Sequence, residues 1–519
     1  MNRRAAPPPR RHSAALSRRA LGLAPGLIAL GLLTACAAAP EIADELPVDP
    51  VPADFKLSFQ AGLPVPDLAP VRLDPETVLI EDATIFTGAG PRIEHGSILL
   101  VAGRIVEVGP GPITAPKGTA RIDAAGRFIT PGLIDSHSHL GVYPAPTIEA
   151  HSDGNEATGP VSADVRAEHS LWPQDPGLQR ALEGGVTTAQ ILPGSANLIG
   201  GRGVTIKFHP AISSRAMRFP DAPWGLKMAC GENPKRVYGS KGARPSTRVG
   251  SMAVWRTVFQ RAAENRASLE AFEKNLLRWK ADPKALPAAR PIPPPRDLSM
   301  ETLVAAMDGD ILVHVHCYRA DEMIQMMELA GEFGFSIRSF HHAVEAYKIR
   351  DVLAAYDVAV STWADWWGFK AEAHDAIVEN AALISVAGAR AIIHSDSAIG
   401  IQRLNQEAAK ALYRARDAGI PVTEEDAIRW ITANPAWALG VQDRVGTLEP
   451  GKMADVVVWS RHPLSVYARP ELVFVDGVRE FDAAAANPPW SDFEVEPLPA
   501  SADAPSGEVP HPPALRGGR

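Results

Sequence analysis

The chain has 519 residues, of which 46% are hydrophobic, so disorder and fibrous repeats are excluded for most of its length. Its 52 Lys and Arg stand against 60 Asp and Glu, and the net charge of −8 argues against a nucleic-acid partner. The 3 cysteines are too few for a disulfide framework.

Residues 1–35 have the pattern of an export signal: several arginines, no acidic residue and the apolar stretch ALGLAPGLIALGLL. The stretch is shorter than the roughly 20 residues that span a membrane. Leu33-Thr34-Ala35-Cys36 resembles a bacterial lipobox, and Ser17-Arg18-Arg19 resembles a twin-arginine signal. We therefore expect an exported, periplasmic protein anchored to the outer membrane by a lipid on Cys36. A plain cleaved signal peptide is the alternative.

The rest of the chain divides by composition. Residues 36–76 are rich in Pro and acid, which indicates a tether. Short alternating β runs follow in 77–130 and return in 441–486. Between them, 131–440 alternates apolar strands with helical stretches, which predicts βα units around a parallel sheet. A segment of this size suits a (β/α)8 barrel.

Two further segments lie inside and after this barrel. Residues 240–296 form an insertion with hydrophobic positions at helical spacing, which predicts a packing helix or a lid. Residues 487–519 are rich in Pro and Ala, which predicts a disordered tail.

The strongest local signal is PGLIDSHSH, in which His137 and His139 end an apolar strand. Alternate side chains of a strand share one face, so both imidazoles point the same way, as ligands of one metal ion must. The run ILVHVH repeats this arrangement with His314 and His316. His316 is nearer the rim where barrel sites lie and is the predicted ligand, whereas His314 is predicted to pack one layer deeper.

Two other strand ends carry candidate ligands. His341 and His342 are adjacent, and because neighbours in a strand point to opposite faces, we expect at most one to look into the barrel. Asp396 follows the apolar run AIIHS, where capping the next helix is the alternative to a metal-linked carboxylate.

Lys227 lies in the run LKMA, near the end of a further apolar stretch. A lysine buried beside cations cannot stay charged, but one carbamylated by CO2 becomes an anion able to bridge two metals. Glu232 is the alternative carboxylate here and Lys207 the alternative lysine. Cys230 and Cys317 would lie near the ends of neighbouring strands, where an oxidising periplasm would let them pair. Because free buried cysteines are common, we expect two free thiols.

These motifs, in this order, resemble the amidohydrolase superfamily, in its imidazolonepropionase-like and prolidase-like branch. The resemblance runs from about Thr77 to Gly477 and includes PGLIDSHSHL, GLKMACGENPKR, HVHCYRADEM and HSDS. It implies an α/β fold: a distorted (β/α)8 TIM barrel, with a small β-sandwich built from the two flanking segments. It also implies a metal centre at the carboxyl ends of the barrel strands.

The ligand positions that the resemblance implies are His137, His139, Lys227, His316, His342 and Asp396. We expect two divalent ions, with zinc as the metal and a carbamylated Lys227 as the bridge. A water activated by the ions would attack a carbonyl carbon. Asp396 would accept the proton of this water and pass it to the leaving nitrogen.

The leading hypothesis is hydrolysis of an amide or peptide C–N bond in a dipeptide, an acyl-amino acid or a cyclic amide. A lactone or ester hydrolase is the alternative within enzymes, since the same centre attacks either carbonyl. An exported binding protein with an inactive amidohydrolase fold is disfavoured, because a suitable residue stands at every expected metal-ligand position. Arg202 and Arg319 are candidates for gripping a substrate carboxylate, and structural ion pairing is their alternative role. Trp366 is a candidate pocket wall, with core packing as its alternative. The resemblance also implies a homo-oligomer.

Overall fold

The computed structural model describes residues 74–147, 149–282, 284, 286–487 and 489–490. The predicted signal segment, nearly all of the tether and nearly all of the tail lie outside these residues. Within them, no helix combines the length and the apolar character needed to cross a membrane.

The strands, in chain order, are β1 (Val78–Ile85), β2 (Ile93–Val101), β3 (Arg104–Pro110), β4 (Ala120–Asp123), β5 (Phe128–Pro131), β6 (Leu133–Ser138), β7 (Val186–Ile191), β8 (Ile199–Lys207), β9 (Trp224–Ala229), β10 (Ile311–His316), β11 (Ile337–His341), β12 (Ala359–Thr362), β13 (Ala391–Ile393), β14 (Val456–Trp459), β15 (Pro470–Val475) and β16 (Val478–Asp482). The α-helices are α1 (Pro176–Glu183), α2 (Ser214–Met217), α3 (Glu232–Gly239), α4 (Arg248–Ala281), α5 (Leu298–Asp308), α6 (Ala320–Phe333), α7 (Arg350–Ala355), α8 (Asn380–Val386), α9 (Leu404–Asp417), α10 (Glu424–Arg429) and α11 (Ala433–Ala438).

The two flanking segments form one sheet. Its order is β16-β15-β14-β5-β1-β2-β3, with β4 paired to β1. The two segments meet where β5 runs antiparallel to β14, with Ile129 opposite Val458. Both of these side chains are buried in the same apolar cluster. Distant parts of the chain therefore share one sheet; its arrangement as a β-sandwich stays a prediction.

The middle segment has a TIM-like α/β fold, as expected. Its eight-stranded sheet has the order β13-β12-β11-β10-β9-β8-β7-β6. Strands β9 to β13 run parallel to one another, and each is followed by a helix. Strand β8 is antiparallel to both β7 and β9, and no helix separates it from β7. This hairpin is the main distortion of the barrel.

Strands β6 and β13 end side by side, which brings together the segments that carry the predicted ligands His137 and Asp396. The Asp396 backbone N–H donates to the carbonyl of His137 over 3.1 Å.

The predicted insertion contains α4, whose first half packs on the barrel through Trp255 and Phe259. In its second half Leu277 is 66% exposed, so this part of the helix leaves the core.

Cys230 and Cys317 form a disulfide, so the expectation of two free thiols is wrong. The reason is strand register. Ala229 lies opposite His316 in the parallel pair β9–β10, so the next residue of each strand is again a neighbour. The Cα atoms are 5.2 Å apart, which is within the range that a disulfide bridges.

Candidate metal centre

Three of the predicted ligands converge at the carboxyl ends of β6 and β13. The Nε2 atoms of His137 and His139 are 3.3 Å apart. Asp396 Oδ1 lies 3.1 Å from His139 Nε2 and 3.5 Å from His137 Nε2. These atoms lie within 4.8 Å of one another, close enough to share one divalent ion.

A second group of side chains that could hold a metal ion consists of His137, His342 and His394. The Nδ1 atom of His342 lies 2.8 Å from His394 Nε2. His394 was missed as a site residue by the sequence analysis. The signal was present, because His394 and Asp396 are spaced by two residues in the same way as His137 and His139.

His316 lies outside both groups but faces the same cluster, with its ring 4.7 Å from that of His342. Its Nδ1 lies 2.9 Å from Ser195 Oγ, whereas its buried Nε2 has no hydrogen-bond partner among the residues that the structure describes. Buried polar atoms are nearly always paired. An unpaired imidazole nitrogen among other histidines therefore fits a metal ligand, with the other ring nitrogen held by an oxygen.

Lys227 is fully buried on β9 and also joins the cluster. Its Nζ donates to the carbonyl of Pro193 over 3.1 Å and lies 3.4 Å from His137 Nε2. Burial lowers the pKa of its amine to about 7, so much of it is neutral near pH 7.

The buried histidines are neutral, which is the form that binds a metal. Burial and the nearby Lys227 hold the pKa of His137 and His316 well below the usual range. Burial likewise lowers the pKa of His394 to about 4. Burial alone would raise the pKa of Asp396, but the hydrogen bond with His139 and the positive charges nearby, that of Lys227 among them, together outweigh it. The pKa therefore lies below its ordinary value, and the group is a carboxylate.

His341 and His342 both face the barrel interior, so the expectation that at most one does so is wrong. His341 Nδ1 lies 2.9 Å from His137 Nδ1, and its Nε2 lies 2.9 Å from His314 Nδ1. Strand β11 ends at His341, and His342 has φ +58°. Alternation holds only within a strand, and this left-handed residue turns the second ring inward. His341 thus links His137 to the deeper His314.

Asp135 is a further buried group that the sequence analysis missed. Its carboxylate accepts hydrogen bonds from the backbone N–H of His137 (3.0 Å) and of Ser395 (3.2 Å), and from the Ser395 hydroxyl. It therefore ties the segment that carries His137 to the segment that carries Asp396. The spacing Asp135, His137, His139 would have placed all three side chains on one face of the strand.

Tyr318 lies beside the second group of ligands. Its ring is 4.9 Å from that of His316 and 5.9 Å from that of His342. The Lys370 ammonium lies 4.0 Å from the centre of the Tyr318 ring, a cation–π distance.

The two predicted carboxylate-binding arginines are not brought to this cluster. Arg202 pairs with Leu226 across β8 and β9 and so lies on the face opposite to Lys227. Its guanidinium donates to Thr302 on α5 over 3.0 and 2.7 Å. Arg319 pairs with its neighbour Asp321 over 2.8 Å.

Trp366, the third predicted substrate-binding residue, reaches the cluster through another ring. It stacks on Trp363 with the ring centres 5.0 Å apart. Trp363 in turn stacks on His342 at 4.6 Å and donates its indole N–H to the Ser395 carbonyl over 3.0 Å. Trp366 therefore belongs to an aromatic wall over the ligand cluster, by which we mean the side chains of His137, His139, His316, His342, His394 and Asp396.

Glu232 and Lys207, the two alternatives to Lys227, lie away from the histidine cluster. Glu232 lies in the first turn of α3, with Oε1 3.8 Å from Lys370 Nζ. Lys207 ends β8, and because β8 is antiparallel, this end lies at the opposite rim of the barrel. Its ammonium contacts Asp455 (2.6 Å) and Asp476 (2.8 Å) of the C-terminal β segment.

Comparison with known proteins agrees with this geometry. The model of the amidohydrolase family matches residues 371–483. The crystal structure of an amidohydrolase from Thermotoga maritima MSB8 is 36% identical in sequence, covers 78% of this chain and 100% of its own, and has a TM-score of 0.69. This chain belongs to the amidohydrolase family. The predicted family is thereby confirmed, and with it the class of hydrolases that act on carbon–nitrogen bonds.

Two curated relatives extend the comparison. Amidohydrolase tasK of Hapsidospora irregularis is 35% identical over 415 residues, which are 75% of this chain. This chain spans only 40% of the length of that protein. An imidazolonepropionase of Cereibacter sphaeroides is 24% identical over 418 residues, 73% of this chain and 92% of that enzyme.

Proposed function

We propose that this chain is a metal-dependent amidohydrolase that cleaves an amide or peptide C–N bond in a dipeptide, an acyl-amino acid or a cyclic amide. The observation that carries the proposal is the convergence of His137, His139 and Asp396 within 4.8 Å, beside further buried imidazoles. So many buried imidazoles around one carboxylate have little packing value, because burying polar rings costs free energy. The buried Nε2 atom of His316 is also left unpaired among the described residues.

The donor set fits two divalent ions, and imidazole with carboxylate suits zinc. His137, His139 and Asp396 would hold one ion, and His316 and His342 the other, with His394 beside them. Bound there, the ions would polarise a carbonyl and lower the pKa of water towards 7.

A carbamate on Lys227 is part of the same proposal. Addition of its neutral amine to CO2, with loss of one proton, gives an anion. The amine is fully buried and faces His137. Within the described ranges it has no carboxylate at ion-pair distance, so a carbamate would supply the negative charge that two divalent ions require.

The protein holds its ligands in fixed tautomers. His139 Nδ1–H donates to the Leu192 carbonyl over 2.8 Å, and His394 Nδ1–H donates to the Thr362 carbonyl over 2.9 Å. With a metal ion bound, the Nε2 atom of each ring would therefore present its lone pair to the ion. Asp396 is the remaining base. Its carboxylate accepts the proton of the attacking water and then donates it to the leaving nitrogen, which would otherwise depart as an unstable anion.

Export to the periplasm with a lipid on Cys36 is also proposed. The Cys230–Cys317 disulfide supports an oxidising compartment, because structural disulfides are rare in the cytosol. Incorporation of labelled fatty acid into the protein, lost in Cys36→Ala, tests the anchor. Equal labelling of the variant would contradict it.

The reaction is tested by incubating zinc-loaded and chelator-stripped protein with dipeptides, acyl-amino acids, cyclic amides and lactones. We expect release of amine from the zinc-loaded protein, loss of release after stripping and loss in Asp396→Asn. Asp375→Asn, which changes an exposed carboxylate paired with Lys348, is the matched control and should keep full activity. Metal-dependent cleavage of lactones without any amide cleavage would contradict C–N specificity.

A further inference from the structure

A cavity of about 530 Å³ opens beside the ligand cluster, a size usual for small-molecule sites. The loop after β12 and the start of α9 line it. Its buried end is formed by His394 and Ser395, which lie at the metal centre. Arg403, immediately before α9, lines its exposed side. The cavity thus connects the ligand cluster to a guanidinium at the surface.

The charges that line this cavity differ in their pairing. The Lys410 ammonium donates to Asp365 (2.9 Å) and contacts Glu407 (2.8 Å), so it is already neutralised. The Arg403 guanidinium has neither a hydrogen bond nor an ion pair with any part of the chain that the structure describes. Of the two cations among the described residues that line the cavity, Arg403 and Lys410, only Arg403 is free to take an anion from outside.

The cavity wall between Ser395 at the buried end and Arg403 at the exposed side is aromatic and apolar. Trp363 is buried, whereas Trp366 stacks on it and remains 41% exposed. Val466 also lines the cavity and is exposed. An exposed aromatic face packs well against a flat or apolar group that leaves water.

We propose that this cavity binds the carboxylate-bearing half of the substrate. The substrate is then an N-acyl amino acid or a dipeptide whose last residue has an aromatic or large apolar side chain. Arg403 pairs with the α-carboxylate, Trp366 packs on the side chain, and the amide points towards His394 and the metal centre. This inference rests on the proposed function and names the substrate class of the same site. It assigns to Arg403 the role that the sequence suggested for Arg202 and Arg319.

Binding without turnover tests the role of Arg403 directly. Zinc-loaded protein with Asp396→Asn is titrated by calorimetry with N-acetyl-L-phenylalanine and with N-acetyl-L-phenylalaninamide, which lacks the carboxylate. We expect the acid to bind about tenfold to hundredfold more tightly than the amide, the range of a charge-assisted hydrogen bond. Adding Arg403→Gln should remove this preference while leaving the weaker binding of the amide unchanged.

The matched control changes an arginine of α9, the helix that begins directly after Arg403. Arg414 is exposed and pairs with Asp417 over 3.6 Å. Arg414→Gln should keep the preference for the acid, and Arg403→Lys should keep part of it. A preference that survives Arg403→Gln would overturn the inference, since the carboxylate would then be held elsewhere, for instance by zinc. Equal binding of acid and amide by the parent protein, or binding of neither, would overturn it as well.

Turnover separates this inference from the proposed function. If the zinc-loaded wild type releases amine from N-acetyl-L-phenylalanine faster than from its amide, and Arg403→Gln raises KM for the acid with little change in kcat, both stand. If acid and amide are cleaved equally well, the proposed function stands and the inference fails. If the acid binds through Arg403 but nothing is cleaved, the inference about the cavity stands and the proposed function fails.

Discussion

Removing the Cys230–Cys317 disulfide should destabilise the barrel far more than it disturbs the metal centre. The two cysteines are separated by 87 residues. The chain-entropy relation for a loop of this length gives about 4.6 kcal/mol at 25 °C. Folded domains are stable by only about 5–15 kcal/mol, so the Cys230→Ala, Cys317→Ala double variant should lose a large fraction of its free energy of unfolding.

The metal site should persist, because the strands stay hydrogen-bonded where the disulfide joins them. The Cys230 backbone N–H donates to the His316 carbonyl over 2.9 Å. We expect urea denaturation of the variant, followed by circular dichroism, to show the lower free energy, and zinc content after dialysis to match that of the wild type. Wild type treated with a reductant should unfold like the variant. Equal unfolding of the variant and the untreated wild type, within about 1 kcal/mol, would refute the account.

Three further predictions concern the centre and the opposite rim of the barrel. Asp396→Asn should lower kcat by about 10²–10⁴-fold while metal analysis shows retained zinc, and wild-type kcat would contradict its role as acid and base. Ser395→Ala removes a hydrogen bond to Asp135 and should weaken zinc binding about tenfold to hundredfold in competition with a coloured chelator; unchanged affinity would contradict the bridge between the two ligand segments. Burial alone would raise the pKa of Asp476, but Lys207 and His209 together outweigh it and hold the pKa below the ordinary value. A lowered folded-state pKa contributes stability that is present above the unfolded value near 4 and lost as the pH falls below it. The free energy of unfolding of the wild type should therefore drop in acid more steeply than that of Asp476→Asn, and parallel curves would contradict this.

The ligands that lie within strands were predictable, because alternation alone puts them on one face. His137 and His139 end or follow β6, and their Nε2 atoms do meet at 3.3 Å. Ligands at left-handed residues beyond a strand end were not derivable in this way, whereas His139 directly continues β6 without such a residue. His342 and Asp396 have φ of +58° and +49°, and such residues redirect the chain independently of the alternation. Only the family resemblance selected His342 over His341.

The residues that were misplaced depend on strand direction and register, which one sequence does not show. Arg202 lies on the outer face because β8 is antiparallel and pairs Arg202 with Leu226. The expectation of free thiols at Cys230 and Cys317 was wrong because their pairing follows from the register of β9 against β10. The overall barrel was predictable for the opposite reason: its apolar strands and intervening helices are local patterns.

The dependence of amine release on bound metal tests the central claim most directly. Chelator-stripped protein is titrated with zinc, and the rate on its best amide substrate is measured at each number of zinc equivalents bound per chain. We expect no release without metal and a rate that rises until about two equivalents are bound. Undiminished release by protein that retains less than about a tenth of an equivalent would contradict it.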